Sequence, residues 1–255
     1  MAGLILIDGD YYFAKGDGVV ITNQKYYVWQ GNGLLPESEY WFGADGKMLN
    51  GVVKEENGYR YYDRGKPTMA GLIEFNGDYY FAKGDGVIIT DQTYYVWQGN
   101  GIVPESERRF GADGKMFNGI VEIDGGYYYY NMGKSEMAGL IEVDGGYYFV
   151  RSADGKIVTD QKYYVWQGNG LLPESEYFFG ADGKMLDGFV TKDDGIYYYE
   201  DGKIGTVGLN YIDGYYYFVG VDGKLVTDRT YYVWKTNGLT MAMNYTFDAQ
   251  GRIVL

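Results

Sequence analysis

Leu4-Ile5-Leu6-Ile7-Asp8-Gly9-Asp10-Tyr11-Tyr12-Phe13 reads as one β-hairpin. An aliphatic run and an aromatic run flank Asp-Gly, and both turn positions tolerate the positive φ that a two-residue hairpin turn needs. Val52-Val53-Lys54-Glu55, Glu56-Asn57-Gly58, Tyr59-Arg60-Tyr61-Tyr62 reads the same way. Aromatic clusters followed by Gly-bearing turns recur along the chain: Tyr26-Tyr27-Val28-Trp29 before Gly31-Asn32-Gly33, and Tyr40-Trp41-Phe42 before Ala44-Asp45-Gly46. No 3.6-residue periodicity survives, and Gly, Tyr and β-branched residues are poor helix formers.

The hairpins belong to a longer repeat. The tetrapeptide YYVW ends at Trp29, Trp97, Trp166 and Trp234, in steps of 68, 69 and 68 residues. MAGL begins at Met1, Met69 and Met137 and is reduced to Val207-Gly208-Leu209 in the fourth copy. Residues 1–255 therefore read as one repeat domain, with copies at 1–68, 69–136, 137–205 and a partial copy at 206–255. MAGL opens the chain and recurs inside it, so the chain reads as a fragment of a larger protein. The third copy gains one residue at Val150-Arg151-Ser152-Ala153-Asp154-Gly155.

The middle of each copy admits two parses. The favoured one makes Val19–Thr22 with Lys25–Trp29 a compact hairpin, and so gives four uneven units per copy. The other makes YYVW and YWF the arms of one hairpin with a protruding QGNGLLPESE loop. Under either parse a short hairpin cannot bury its faces alone, and stacking its neighbours along an axis solves this. The expected fold is an all-β repeat protein, an elongated β-solenoid of stacked short hairpins. A propeller is the rival, with blades of about 40 residues or more.

Composition narrows the function. The 255 residues include 31 Tyr, 12 Phe, 5 Trp and 41 Gly, with no His and no Cys. Nucleophilic triads built on His, and zinc or haem sites built on His or Cys, are excluded. A net charge of −13 argues against nucleic acid and anionic lipid as partners. No apolar run is long enough to span a membrane. Glu37 and Glu39 suggest a glycosidase pair, but they are tripled along the chain, unlike a single active site. Asp8-Gly9-Asp10 suggests calcium, but it lacks the ligand run of an EF-hand loop and reads better as a turn. No enzyme activity, metal or cofactor is expected.

Lys47 to Gly65, Gly139 to Phe149 and Gly208 to Phe218 resemble the cell-wall-binding repeat family of choline-binding modules, glucan-binding repeats and clostridial-toxin carbohydrate-binding repeats. The shared pattern is a Gly-led strand, an Asn/Asp-Gly turn, a YYF-like strand and a DGK turn, and it covers essentially the whole chain. The resemblance implies a non-catalytic attachment module on a secreted or cell-surface protein of a Gram-positive bacterium. It departs from the choline-binding type at the position after the leading Gly. There a cage-forming Trp is replaced by Leu4, Leu72, Leu140 and Leu209, and by Val52, Ile120 and Phe189.

The best candidates for contact with a sugar ring are Trp29, Trp97, Trp166, Trp234 and Trp41, because an indole offers the largest apolar face to a pyranose. Gln30, Gln98 and Gln167 follow the repeated Trp and supply amides beside it. Met48, Met116 and Met185 are expected to plug the core between units. The expected partner is a cell-wall polymer or another glycan. The rivals are a choline-type cage on teichoic acid, and an adhesin or spacer that meets a host protein. Strand edges at the ends of such a stack would suit pairing into a homodimer.

Overall fold

A computed structural model describes residues 2–68, 70–135 and 137–254. The MAGL starts at Met1 and Met69 lie outside the described residues. The chain falls into two compact units, Met1–Gly119 with Tyr130–Lys134, and Ile120–Tyr129 with Ser135–Leu255. Both are all-β, built from short antiparallel hairpins.

In copy one, Gly3–Ile7 pairs with Asp10–Ala14. Asp8 and Gly9 turn at φ 50° and 90°, as the local reading required. In the third hairpin Glu55 pairs with Gly58, so the turn is Glu56-Asn57, and Gly58 begins the returning strand. Lys66–Pro67 adds a short third strand.

The middle of the copy corrects the favoured parse: each full copy holds three hairpins. Gln24–Val28 pairs with Ser38–Phe42, with Tyr26 opposite Tyr40 and Val28 opposite Ser38. The same pairing recurs in Gln92–Val96 with Ser106–Phe110, Gln161–Val165 with Ser175–Phe179, and Arg229–Val233 with Met243–Phe247. Val20 makes only a single bridge, to Ala14, and the Ile21 N–H donates to Phe13 O. Residues 19–22 therefore dock back on the first hairpin as a connector. The pattern of burial favours this arrangement, because it sends Val28, Tyr40 and Phe42 into one core.

Leu4, Phe13, Ile21, Val28, Tyr40, Phe42 and Met48 form that core. Its counterparts recur in each following copy. Met48, Met116 and Met185 are buried, as expected of core plugs. A second cluster joins each third hairpin to the next first hairpin; Val52, Tyr59 and Tyr61 pack there against Tyr80, Ala82 and Ile88. The second and third hairpins are joined by backbone bonds, Trp41 N–H to Gly65 O at 2.8 Å and Gly65 N–H to Leu49 O at 2.7 Å. Through these three kinds of joint, hairpins within each unit stack as a β-solenoid. Each buried Phe contributes about 1.5–3 kcal/mol.

One core position differs between copies. The hydroxyls of Tyr40 and Tyr177 donate to the carbonyls of Pro36 and Pro173, each at 2.8 Å. Copy two has Arg108 there, buried, with Nη2 donating to Pro104 O at 3.3 Å and Nη1 to Met132 O at 2.6 Å. A buried guanidinium carries a desolvation cost that a phenol does not. Arg108→Tyr is expected to stabilise the protein by about 1 kcal/mol, read as a higher thermal midpoint by circular dichroism. A lower midpoint would show that Arg108 is the better fit.

Candidate functional site

The strand Gln24–Val28 alternates, with Val28 inward and Tyr27 outward, and Trp29 follows at its end. The indole does not float in solvent. It meets the ring of Phe13 edge-on, with centroids 5.9 Å apart and planes at 73°. Trp97 stands against Phe81 at 5.8 Å, Trp166 against Phe149 at 6.1 Å, and Trp234 against Phe218 at 6.1 Å, all edge-on. Those four phenylalanines are fully buried, while the indoles are 48, 43, 44 and 53% exposed. Each copy thus presents one half-exposed aromatic plate, held by a perpendicular ring of the core.

The segment after each Trp is a clamp. The Leu4 N–H donates to the backbone carbonyl of Gln30 at 2.8 Å, and Leu72 and Leu140 do the same to Gln98 and Gln167. The side-chain amide of Asn32 donates to Leu4 O at 2.9 Å. Asn100 reaches both Ala70 O and Leu72 O, at 2.5 and 2.7 Å. Asn169 and Asn237 repeat this double contact. The loop of residues 29–37 therefore lies tied to the first hairpin and does not protrude. Gln30, Gln98 and Gln167 act here through their backbones, and their side chains are half-buried beside the Trp. The asparagine clamp was missed in the sequence. The repeated Asn-Gly pair looks there like any turn, and its partner lies 28 residues away.

Trp41 faces another neighbour. It lines a cleft of about 800 Å³ with Val53, Lys54, Glu55, Arg60 and Tyr62 of the third hairpin. Glu55 holds Arg60 at 3.1 Å and accepts a hydrogen bond from Tyr62. In copy three the equivalent cleft is about 560 Å³, with Phe178 and Lys192 among its walls. The structure thus sets Trp41 apart from the Trp29 series. Exposed Tyr27, Tyr95, Tyr164 and Tyr232 were also missed as candidates, although the alternation with Val28 and its counterparts was the available signal. Leu4, Leu72, Leu140 and Leu209 are buried in the core, so no ring stands at the cage position of those four hairpins. Phe189 puts one at that position in the third hairpin of copy three, 5.0 Å from the ring of Tyr198 and 4.8 Å from that of Tyr217. Glu39 and Glu176 pair with Lys25 at 3.0 Å and Lys162 at 2.7 Å, across the strands. Among the described residues no acidic cluster is arranged to hold a metal ion.

Burial pushes the phenols of Tyr40, Tyr80, Tyr148, Tyr177, Tyr198 and Tyr217 above their ordinary value. Tyr62 is raised by burial and then by its bond to Glu55, and Tyr197, bound to Asp194, is pushed up to about 12. A raised phenol adds stability that is complete below the unfolded value of about 10 and lost as pH climbs through the folded value. Alkaline titration is expected to show phenolate absorbance rising together with loss of circular dichroism between about pH 10 and 12. A phenolate titration complete before any spectral change in the backbone would contradict this.

No family model matches the chain. Glucosyltransferase-S of Streptococcus mutans is 26% identical over 207 residues, covering 73% of this chain and 12% of that protein. The chain thus spans about an eighth of the length of the curated relative it matches. Among solved structures, choline binding protein F from Streptococcus pneumoniae aligns over 100% of this chain and 93% of its own, at 18% identity and TM-score 0.37. The modular autolysin LytC from Streptococcus pneumoniae, in complex with a synthetic peptidoglycan ligand, aligns over 88% of this chain and 52% of its own, at 18% identity and TM-score 0.33. Choline-binding proteins, one of the kinds named by the sequence resemblance, are thus among the proteins this chain is similar to.

Proposed function

We propose that the chain is a non-catalytic attachment module that holds a carbohydrate polymer at the surface of a Gram-positive bacterium. The observation that carries this reading is the plate at Trp29, Trp97, Trp166 and Trp234, about half exposed and held against a perpendicular buried Phe in every copy. A pyranose packs its C–H face on such a ring at low entropic cost, because the ring is already held. Each contact is weak, and repetition along one polymer raises the overall affinity. The likeness to a streptococcal glucosyltransferase supports a saccharide as the ligand class. Trp41, with the Glu55–Arg60 pair beside it, offers a separate wall for the same chemistry. The whole of residues 1–255 serves as one repeat domain in this reading, as part of a secreted or surface-held protein.

The test is co-sedimentation with purified Gram-positive cell walls, with soluble glycans as competitors. Retention that a neutral glycan competes away is the expected result. Retention released by choline alone would favour a teichoic-acid ligand. The absence of any binding to walls or glycans would sink the reading and leave a spacer.

A further inference from the structure

Asn-Gly occurs eight times in the chain. At such a pair the glycine nitrogen can approach the asparagine side-chain carbonyl carbon, because Gly has no Cβ to block the way. Asparagine is for this reason a thermolabile residue. Whether the attack happens in a folded chain depends on whether the side-chain amide is free to turn toward that nitrogen.

Six of the eight amides are held. The Nδ2 groups of Asn100, Asn169 and Asn237 each donate to two carbonyls, and that of Asn32 donates to Leu4 O. The Oδ1 atoms of Asn50 and Asn118 accept the N–H groups of Arg64 and Met132, each at 3.1 Å. Asn57 precedes Gly58, which is a strand residue opposite Glu55. Asn76-Gly77 differs from all of these. Phe75 pairs with Asp78, so both residues lie in the turn, outside the ladder. Both are exposed. A Cβ built on Gly77 would meet nothing within 4 Å. Among the described residues nothing hydrogen-bonds the Asn76 amide. Its backbone matches that of a clamped pair, with φ 53° and 82° against 51° and 79° at Asn100-Gly101. The two sites share a dipeptide and a turn; the amide is tied at Asn100 and loose at Asn76.

We propose that Asn76 is a self-modification site, where the chain converts a side-chain amide to an acid with water as the sole co-reactant. The Gly77 nitrogen loses its proton and bonds to Asn76 Cγ. The Cγ–Nδ2 bond breaks and ammonia leaves, closing a five-membered imide. Water then opens the imide at either carbonyl. One opening leaves an ordinary aspartate. The other routes the main chain through Cβ and Cγ as isoaspartate. The ordinary product fits the turn, since Asp8, Asp144 and Asp213 stand at this position in the other copies with φ 50°, 49° and 47°. Isoaspartate lengthens the main chain of a two-residue turn by one atom. Phe75, at the base of that turn, packs in the joint with Val52, Tyr59 and Tyr61. The joint between these two hairpins therefore loosens as the protein ages. The site is separate from the Trp plates, so it stands or falls apart from the glycan reading.

The test ages the whole chain in mildly alkaline buffer, folded or in concentrated urea, and follows each Asn-Gly peptide by mass spectrometry. Isoaspartate is labelled with an isoaspartate-specific methyltransferase. In the folded chain Asn76 is expected to convert about tenfold faster than Asn100, Asn169 and Asn237, each of which must first break two hydrogen bonds. In urea the rates should converge. Asn76→Asp copies the turn of the other copies; it should fold, shown by circular dichroism, and accumulate several-fold less isoaspartate there, because a carboxylate is a poorer target for the nitrogen. Aged wild type should also melt below aged Asn76→Asp. The proposal is overturned if Asn76 converts no faster than Asn100 in the folded chain, or if the same ordering persists in urea. It is also overturned if aged Asn76→Asp carries as much isoaspartate at this position as aged wild type, and equal melting of the two would overturn the loosening.

Discussion

Replacing Trp29, Trp97, Trp166 and Trp234 together by alanine is expected to abolish retention on cell walls, while any one replacement weakens it by less than about tenfold. Linked weak contacts can exceed a single site by about 10²–10⁴. Removing one plate of four leaves most of that gain, and removing all four leaves none. Each indole also makes an edge-on contact with a buried Phe, worth about 0.5–1.5 kcal/mol. The quadruple variant should therefore melt at a lower temperature but still cooperatively. Co-sedimentation and thermal melting on the same samples separate the two effects. A folded quadruple variant that still binds walls would move the ligand site to the cleft at Trp41.

The second large effect is expected from Gly99→Ala. A Cβ at Gly99 would stand 2.0 Å from the carbonyl oxygen of Val103. That atom is backbone, so it cannot move aside as a side-chain tip would. The loop is further pinned by the bond from Leu72 N–H to Gln98 O and by both contacts of Asn100. The substitution must either break this clamp or leave buried carbonyls without partners, at a cost of about 1–3 kcal/mol each. A loss of about 2–4 kcal/mol in urea unfolding is expected, at the high end for single substitutions. Wall binding should fall too, because Trp97 lies two residues away and takes its orientation from the same loop. The neighbouring Gly101→Asn makes the control. That position has φ 79° and open space, and Asn tolerates the left-handed region. A Gly99→Ala variant as stable as Gly101→Asn would show that the loop is looser than its bonds imply.

Much of the fold was legible locally. Asp8-Gly9, Asn76-Gly77 and Asp144-Gly145 all turn with positive φ at both positions, as their chemistry demands. The buried Phe13, opposite Leu4, follows from period-two alternation. The number of hairpins per copy was not legible. Gln24–Val28 has Val19–Thr22 close in sequence and Ser38–Phe42 farther off, and both are strand-like. Burying Tyr40 and Phe42 with Val28 in one core decides for the distant partner.

The site divides along the same line. That Trp29 and its three counterparts were the residues to examine follows from their identity and their single place per copy. That each is held against a perpendicular ring while about half exposed depends on Phe13, Phe81, Phe149 and Phe218 arriving from another hairpin. The clamp by Asn100 is likewise set by packing. Sequence alone determined the strands, the tight turns and the repeat, because backbone preference and alternation are properties of adjacent residues. Only the tertiary structure decided which strands pair, how the indoles are held and which asparagine amides are tied down, because those outcomes depend on contacts between residues far apart in the chain.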